Sequence, residues 1–197
     1  MNLALILSMT SFALVASISP GPVNFITLSA AVNFNLNVAL RHVLGATVGF
    51  TVLLVLVGLS LHELTFYAPS ISQILQWCGV GFLLYMAYRM LTVQVSINTE
   101  HTAKAPTFLS GALLQWLNPK AWIAALSGVS AFTANQPAQA MWWFAVIYFV
   151  ICFLSLACWA YAGVFLSRYL QQPVYLRVFN ISMALLLVIS AIYMIMH

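Results

Sequence analysis

Acidic side chains are almost missing from this sequence. Glu63 and Glu100 are the only two in 197 residues, and charged residues of both signs make up 4% of the chain. That scarcity excludes paired-carboxylate catalysis, an acidic metal cage and the solvated surface that a soluble domain needs. Cys78, Cys152 and Cys158 fall in apolar stretches without metal-ligand spacing, and they read as small buried hydrophobes. The sequence contains no Gly-rich phosphate loop, no His/Cys/acid cluster and no nucleophile–base pair that can be placed together. No enzymatic activity, cofactor or metal is therefore expected. The six basic residues are scattered rather than clustered, which argues against a nucleic-acid partner. None precedes Arg41, so the first 20 residues lack the basic start of a secretory signal and read as a retained span.

What the chain has in excess is apolar surface, with 64% hydrophobic residues and a mean hydropathy of +1.04. This is the composition of a polytopic membrane protein. A crossing takes about 20 helical residues, so the length fits six spans with short connections and leaves no room for a separate soluble domain. The expected spans are roughly 3–31, 41–61, 69–89, 107–133 and 141–167, with the sixth running to the C-terminus. His62-Glu63 closes the second span at water, and Pro69-Ser70 opens the third. Residues 93–106 form the one plausible linker, dividing a single transmembrane domain, 1–197, into halves 1–92 and 107–197. Asn135-Gln136-Pro137 reads as a turn, and Trp142-Trp143 belong at a membrane interface. Gly45 and Gly49, with Ala46, make a small face where another helix can pack closely.

Arg41, Arg89, Lys104, Arg168 and Arg177 follow odd-numbered spans, whereas the connections after spans two and four carry no Lys or Arg. The positive-inside rule makes the basic side cytoplasmic, so both termini are expected in the periplasm.

Two spans are interrupted. Ser19-Pro20-Gly21-Pro22-Val23-Asn24 breaks the first, and Asn118-Pro119-Lys120 breaks the fourth. Proline removes a backbone donor and glycine relaxes the helix, and hydrocarbon cannot satisfy the freed groups. The breaks must be buried in protein or line a wet cavity. Three spans per half insert the second half opposite to the first, and each break lies in the first span of its half. The fold expected is an all-α bundle of six transmembrane helices, a 3+3 inverted repeat with helices 1 and 4 broken. Broken helices at matching positions of inverted halves point to a midplane binding site in secondary transporters. Lys120 is the one basic residue well inside a span. A mid-membrane charge costs about 2.5–3.5 kcal/mol on insertion scales, so it needs a partner, a cavity or a neutral form. It could attract a substrate carboxylate or alternate its charge to couple transport to protons. Pro20, Gly21, Pro22 and Asn24 with Asn118, Pro119 and Lys120 are the expected substrate-binding residues.

Pro20-Gly21-Pro22 with Asn24, followed by Phe108-Leu109-Ser110-Gly111 and Leu117-Asn118-Pro119-Lys120-Ala121, resembles the lysine exporter/homoserine–threonine exporter family of bacterial amino-acid efflux proteins. Cys158-Trp159-Ala160-Tyr161-Ala162-Gly163 further resembles the branch that exports cysteine and O-acetylserine. The chain departs at Val23, where the family often has Asn or Asp. The resemblance implies a bacterial inner-membrane exporter of small neutral or basic amino acids, driven by the proton gradient. Its partners are then an amino-acid substrate and lipid, with homo-oligomerisation left open. Two rivals stand beside it. A membrane thiol–disulfide carrier needs a thiol in the first span of each half, and neither break has one. A passive channel or assembly subunit would find its polar lining only at the breaks.

Overall fold

Proline opens three of the helices, at Pro22, Pro119 and Pro173, where its missing N–H would have had no intrahelical acceptor anyway. The computed structural model describes residues 3–92, 105–133, 136–170 and 172–196, without the side chains at 60–76, 78–79, 82–83, 89–90, 190 and 193–196. The side chains of His62, Glu63, Pro69, Ser70, Cys78 and Arg89 lie outside the described residues. So do Lys104, Asn135, Gln171 and most of the expected linker. The described residues form α1 (Leu3–Ile18), α2 (Pro22–Asn33), α3 (Leu36–Leu91), α4 (Phe108–Trp116), α5 (Pro119–Thr133), α6 (Gln139–Ser167) and α7 (Pro173–Met196). Asn35 caps α3 by accepting from the Val38 N–H, and Thr107 and Ser110 form a reciprocal capping box at α4.

Leu36–Leu59 and Gln139–Ser167 are each long and apolar enough to cross a membrane, and α1–α2, bent by 60°, makes a third candidate if counted as one span. No break in the backbone marks the expected boundary between spans two and three: helix continues through positions 62 to 70, and α3 is one element of 56 residues. A polar residue ends contact with lipid, but it does not end the backbone hydrogen bonding of a helix. The contour of α3 is about 84 Å at 1.5 Å per residue, well beyond one hydrocarbon core. Val80 and Ala87 in its second half are buried in the same core as Phe50 in its first half and Leu187 of α7. Both halves of α3 therefore pack on the bundle.

Lipid gives no hydrophobic drive between helices, so small residues and close contact must hold them together. A Cβ added at Gly45 would run into the Phe108 carbonyl, one at Gly49 would lie 2.7 Å from Ala112 Cα, and one at Gly111 would run into the His42 carbonyl. Pairing residues 45 with 108 and 49 with 112 means that α4 runs parallel to α3. His42 is fully buried at this seam, with Nδ1 3.3 Å from Ser110 Oγ. A matching seam joins the first half to α6. Phe12 meets Phe144 and Tyr148, Phe25 meets Trp159, and a Cβ at Gly163 would lie 2.5 Å from the Leu28 carbonyl. Residue numbers rise together along it, so α1–α2 runs parallel to α6.

Asn33 and Asn180 exchange amide hydrogen bonds of 2.9 and 3.0 Å, tying the end of α2 to α7. Val164 packs with Ala30, Ala31 and Ala39 near this contact, so the exposed Arg41, Arg168 and Arg177 lie toward the same end of the bundle. Burial of the cysteines is borne out at Cys152 and corrected at Cys158, which is exposed. Leu154 and Tyr161 are exposed on the same face of α6, so this thiol lies on the side of the helix that packs against nothing described.

Candidate functional site

A broken helix must account for every carbonyl it frees. After α1 the chain runs through Ser19 and Pro20 to Gly21, whose extended backbone (φ −176°) leads into α2. The Ser19 N–H donates to the Val15 carbonyl and Ser19 Oγ to that of Ala16, both at 3.3 Å. Asn24 Nδ2 donates to the Ser17 carbonyl at 3.0 Å, and the Trp159 indole donates to that of Ile18 at 3.1 Å. Lys120 Nζ donates to the Ser19 carbonyl at 2.8 Å, to Ser19 Oγ at 2.9 Å and to the Pro20 carbonyl at 3.4 Å. Its three donors are thus spent on one helix end. That end carries the negative pole of α1, where a cation is favoured by up to about 2 kcal/mol in partly buried geometry.

The second break is shorter. The Leu117 N–H donates to the Leu113 carbonyl and the Asn118 N–H to that of Gln115, while the Trp122 indole donates to the Trp116 carbonyl at 2.8 Å. Asn118 Oδ1 accepts from the Lys120 N–H at 3.1 Å and so caps α5. The Trp116 indole donates to the Gly49 carbonyl at 3.1 Å and fastens this break to α3.

One cavity of about 30 Å³ lies between the breaks. Gly21, Asn24, Asn118 and Lys120, all anticipated from the sequence, share its wall. Pro20 is exposed and contributes its carbonyl, whereas Pro22 and Pro119 begin the two inner half-helices. Gly45 and Gly49 lie away from the cavity, against α4. Val23, where the family pattern is usually polar, is also on the wall. Among the described residues no side chain caps α2, so the N–H groups of Val23 and Asn24 have no acceptor within the helix. Free N–H donors, an ammonium and freed carbonyls therefore meet at one small space, a set suited to a zwitterion.

Sequence reasoning missed Ser17, Gln115, Tyr148 and Cys152 on the wall, and Trp159 on the Ile18 carbonyl. Gln115 left a signal, a polar side chain one turn before Asn118. Tyr148 and Cys152 left only their four-residue spacing, which places them on one face of α6.

Two proline-broken helices meeting at a half-buried lysine inside an apolar bundle mark a membrane transport protein. The chain belongs to the LysE-type translocators, whose family model matches residues 14–197. These are amino-acid efflux proteins of the bacterial inner membrane and not enzymes. Similar proteins include the cysteine/O-acetylserine efflux protein of Escherichia coli strain K12, 27% identical over 185 residues that cover 92% of this chain and 93% of that one. Its counterparts in Escherichia coli O157:H7 and Shigella flexneri serotype 5b (strain 8401) are 26% and 27% identical over the same coverage. No solved structure matches the chain.

Proposed function

We propose that this protein exports a small amino acid or derivative, of the cysteine/O-acetylserine or homoserine/threonine kind, by alternating access. The paired breaks form its substrate site. The observation that carries this reading is the Lys120 ammonium resting on the Ser19 and Pro20 carbonyls beside the uncapped start of α2. A substrate carboxylate would sit on the Val23 and Asn24 N–H groups and draw Lys120 toward itself. The substrate ammonium would then replace Lys120 on the α1 carbonyls. The cavity as it stands has room for a water or two, so loading requires its walls to separate. Phe50 and Tyr148, stacked at 4.2 Å, stand on that wall, with Phe12, Phe132 and Phe144 beyond them. This aromatic layer closes the side on which α1 begins.

The same reading takes the chain as six spans in inverted halves. Its support is the exchange of partners: the broken span of each half lies parallel to the middle span of the other, α1–α2 along α6 and α4 along α3. The arginines gathered at one end support a cytoplasmic placement of that end and periplasmic termini. Lys120 is the cation on the cavity wall and the group proposed to couple export to the proton gradient.

The test is counterflow in proteoliposomes with a panel of labelled amino acids, comparing wild type, Lys120→Ala and Asn24→Ala. Both variants are expected to lose transport, and normal rates in both would refute the site. An imposed pH gradient is expected to drive accumulation. Uptake indifferent to it would refute the coupling.

A further inference from the structure

Ser17 sits in the last turn of α1. Its carbonyl is held by Asn24, but its hydroxyl, like those of Thr27 and Ser155 and unlike most helical hydroxyls described in this chain, finds no acceptor, and of the three only Ser17 lines the cavity. Ser8, Thr10, Thr51, Thr133 and Ser182 all donate back to the carbonyl four residues earlier, the usual recourse of a hydroxyl within a helix. Ser17 Oγ does not. It is buried, with the residue 8% exposed, and makes no hydrogen bond of good geometry among the described residues, although the Tyr148 hydroxyl and Cys152 thiol stand around it. All three residues line the cavity between the breaks. Thr47, fully buried on α3, closes the back with its hydroxyl 4.0 Å from Cys152 Sγ. A buried hydroxyl with no partner is costly, by about 1–3 kcal/mol, unless something that enters the cavity satisfies it.

We propose that Ser17, Tyr148 and Cys152 form the side-chain subsite of the transported amino acid, with Ser17 its specificity-determining residue. The inference rests on the reading above, in which the breaks and Lys120 hold the carboxylate and ammonium. The side chain then extends from the Lys120 end of the cavity toward α6. There it meets three small polar groups backed by the Phe50–Tyr148 stack, which leaves no depth for a long or branched side chain. The class accepted is a short side chain ending in a hydroxyl or thiol, which completes the Ser17 hydrogen bond. An apolar side chain of the same size leaves that hydroxyl orphaned and is disfavoured.

The experiment measures counterflow of labelled L-serine, L-cysteine, L-alanine and L-leucine in proteoliposomes of the full chain. Wild type is expected to prefer serine and cysteine over alanine and to exclude leucine. Ser17→Ala should reduce the serine-to-alanine preference about tenfold, the worth of one hydrogen bond, with alanine transport retained. An unchanged ratio, or an equal fall for both substrates, overturns the subsite. A second readout does not depend on Ser17 variants. In a Cys78→Ser, Cys158→Ser background, methyl methanethiosulfonate reacts with Cys152 alone, and L-serine should slow that reaction several-fold where L-leucine does not. Equal rates with and without serine overturn the proposal. Lys120→Ala, run alongside, should lower all substrates together. Normal transport by that variant would refute the main-chain site and this subsite with it, whereas an unchanged Ser17→Ala ratio beside a failing Lys120→Ala refutes the subsite alone.

Discussion

The two breaks are completed from different sources. At the first, the carbonyls of Ser17 through Pro20 are held by an amide of α2, an indole of α6 and an ammonium of α5. At the second, Asn118 caps the helix it precedes, and Trp122, within the same helix, covers the Trp116 carbonyl. The second break is self-sufficient. The first is finished only where the two halves of the chain meet. A helix end held by three separate elements changes partners when those elements move, whereas a self-capped end moves as one piece. On the proposed mechanism the first break switches and the second supports it.

The largest expected effect separates the two breaks at Lys120. Lys120→Ala empties the donors on Ser19 and Pro20, and each charge-assisted bond is worth about 1.5–3 kcal/mol. Counterflow should fall by roughly 100-fold or more, with Lys120→Arg retaining part of it. A wild-type rate in Lys120→Ala would erase the distinction. Next comes the anchor of the second break. Gly45→Leu and Gly111→Leu force α4 away from α3, and overpacking of this kind costs about 1–3 kcal/mol or more. Both should lose folded protein in a detergent melt. Gly81→Ala, where a Cβ meets nothing within 4 Å, should stay within about 0.5 kcal/mol of wild type.

A smaller effect tests the contrast itself. Trp159→Phe and Trp122→Phe each orphan one carbonyl, at about 1–3 kcal/mol, so their melts should shift alike. Only Trp159→Phe should also slow transport, because only the Ile18 carbonyl belongs to the switching break. Equal transport losses would contradict the division of roles. The smallest effect is local: Asn118→Ala should cost about 1 kcal/mol as a lost cap, with Asn118→Ser recovering most of it.

The break positions were legible in the sequence because proline and glycine act through the backbone, whatever surrounds them. Gly21, Asn24, Asn118 and Lys120 could therefore be assigned to one cavity before any contact was known. The close seam along Gly45 and Gly49 was legible for a similar reason, since a residue with no side chain marks where another backbone can approach. His62-Glu63 said nothing of the backbone, because polarity reports where water begins, and α3 remains helical on both sides of that point. Ser17, Tyr148 and Cys152 were hidden. In a membrane protein a small polar residue on an apolar helix reads as packing, and only the fold brings α1 and α6 together around it. Trp159 was visible as part of a family segment, but its bond to Ile18 depends on the same long-range pairing.

The central claim is that an ammonium placed at the α1 terminus by the second half of the chain is what makes the site work. The most direct measurement is chemical rescue in a chain whose own cysteines are replaced by serine. Lys120→Cys in that background should transport poorly against its matched parent. Alkylation with 2-bromoethylamine, which rebuilds a lysine-length cation at position 120, should restore transport, and iodoacetamide, which adds a neutral group, should not. Transport by unmodified Lys120→Cys at the parent rate, or equal rescue by both reagents, would contradict the account.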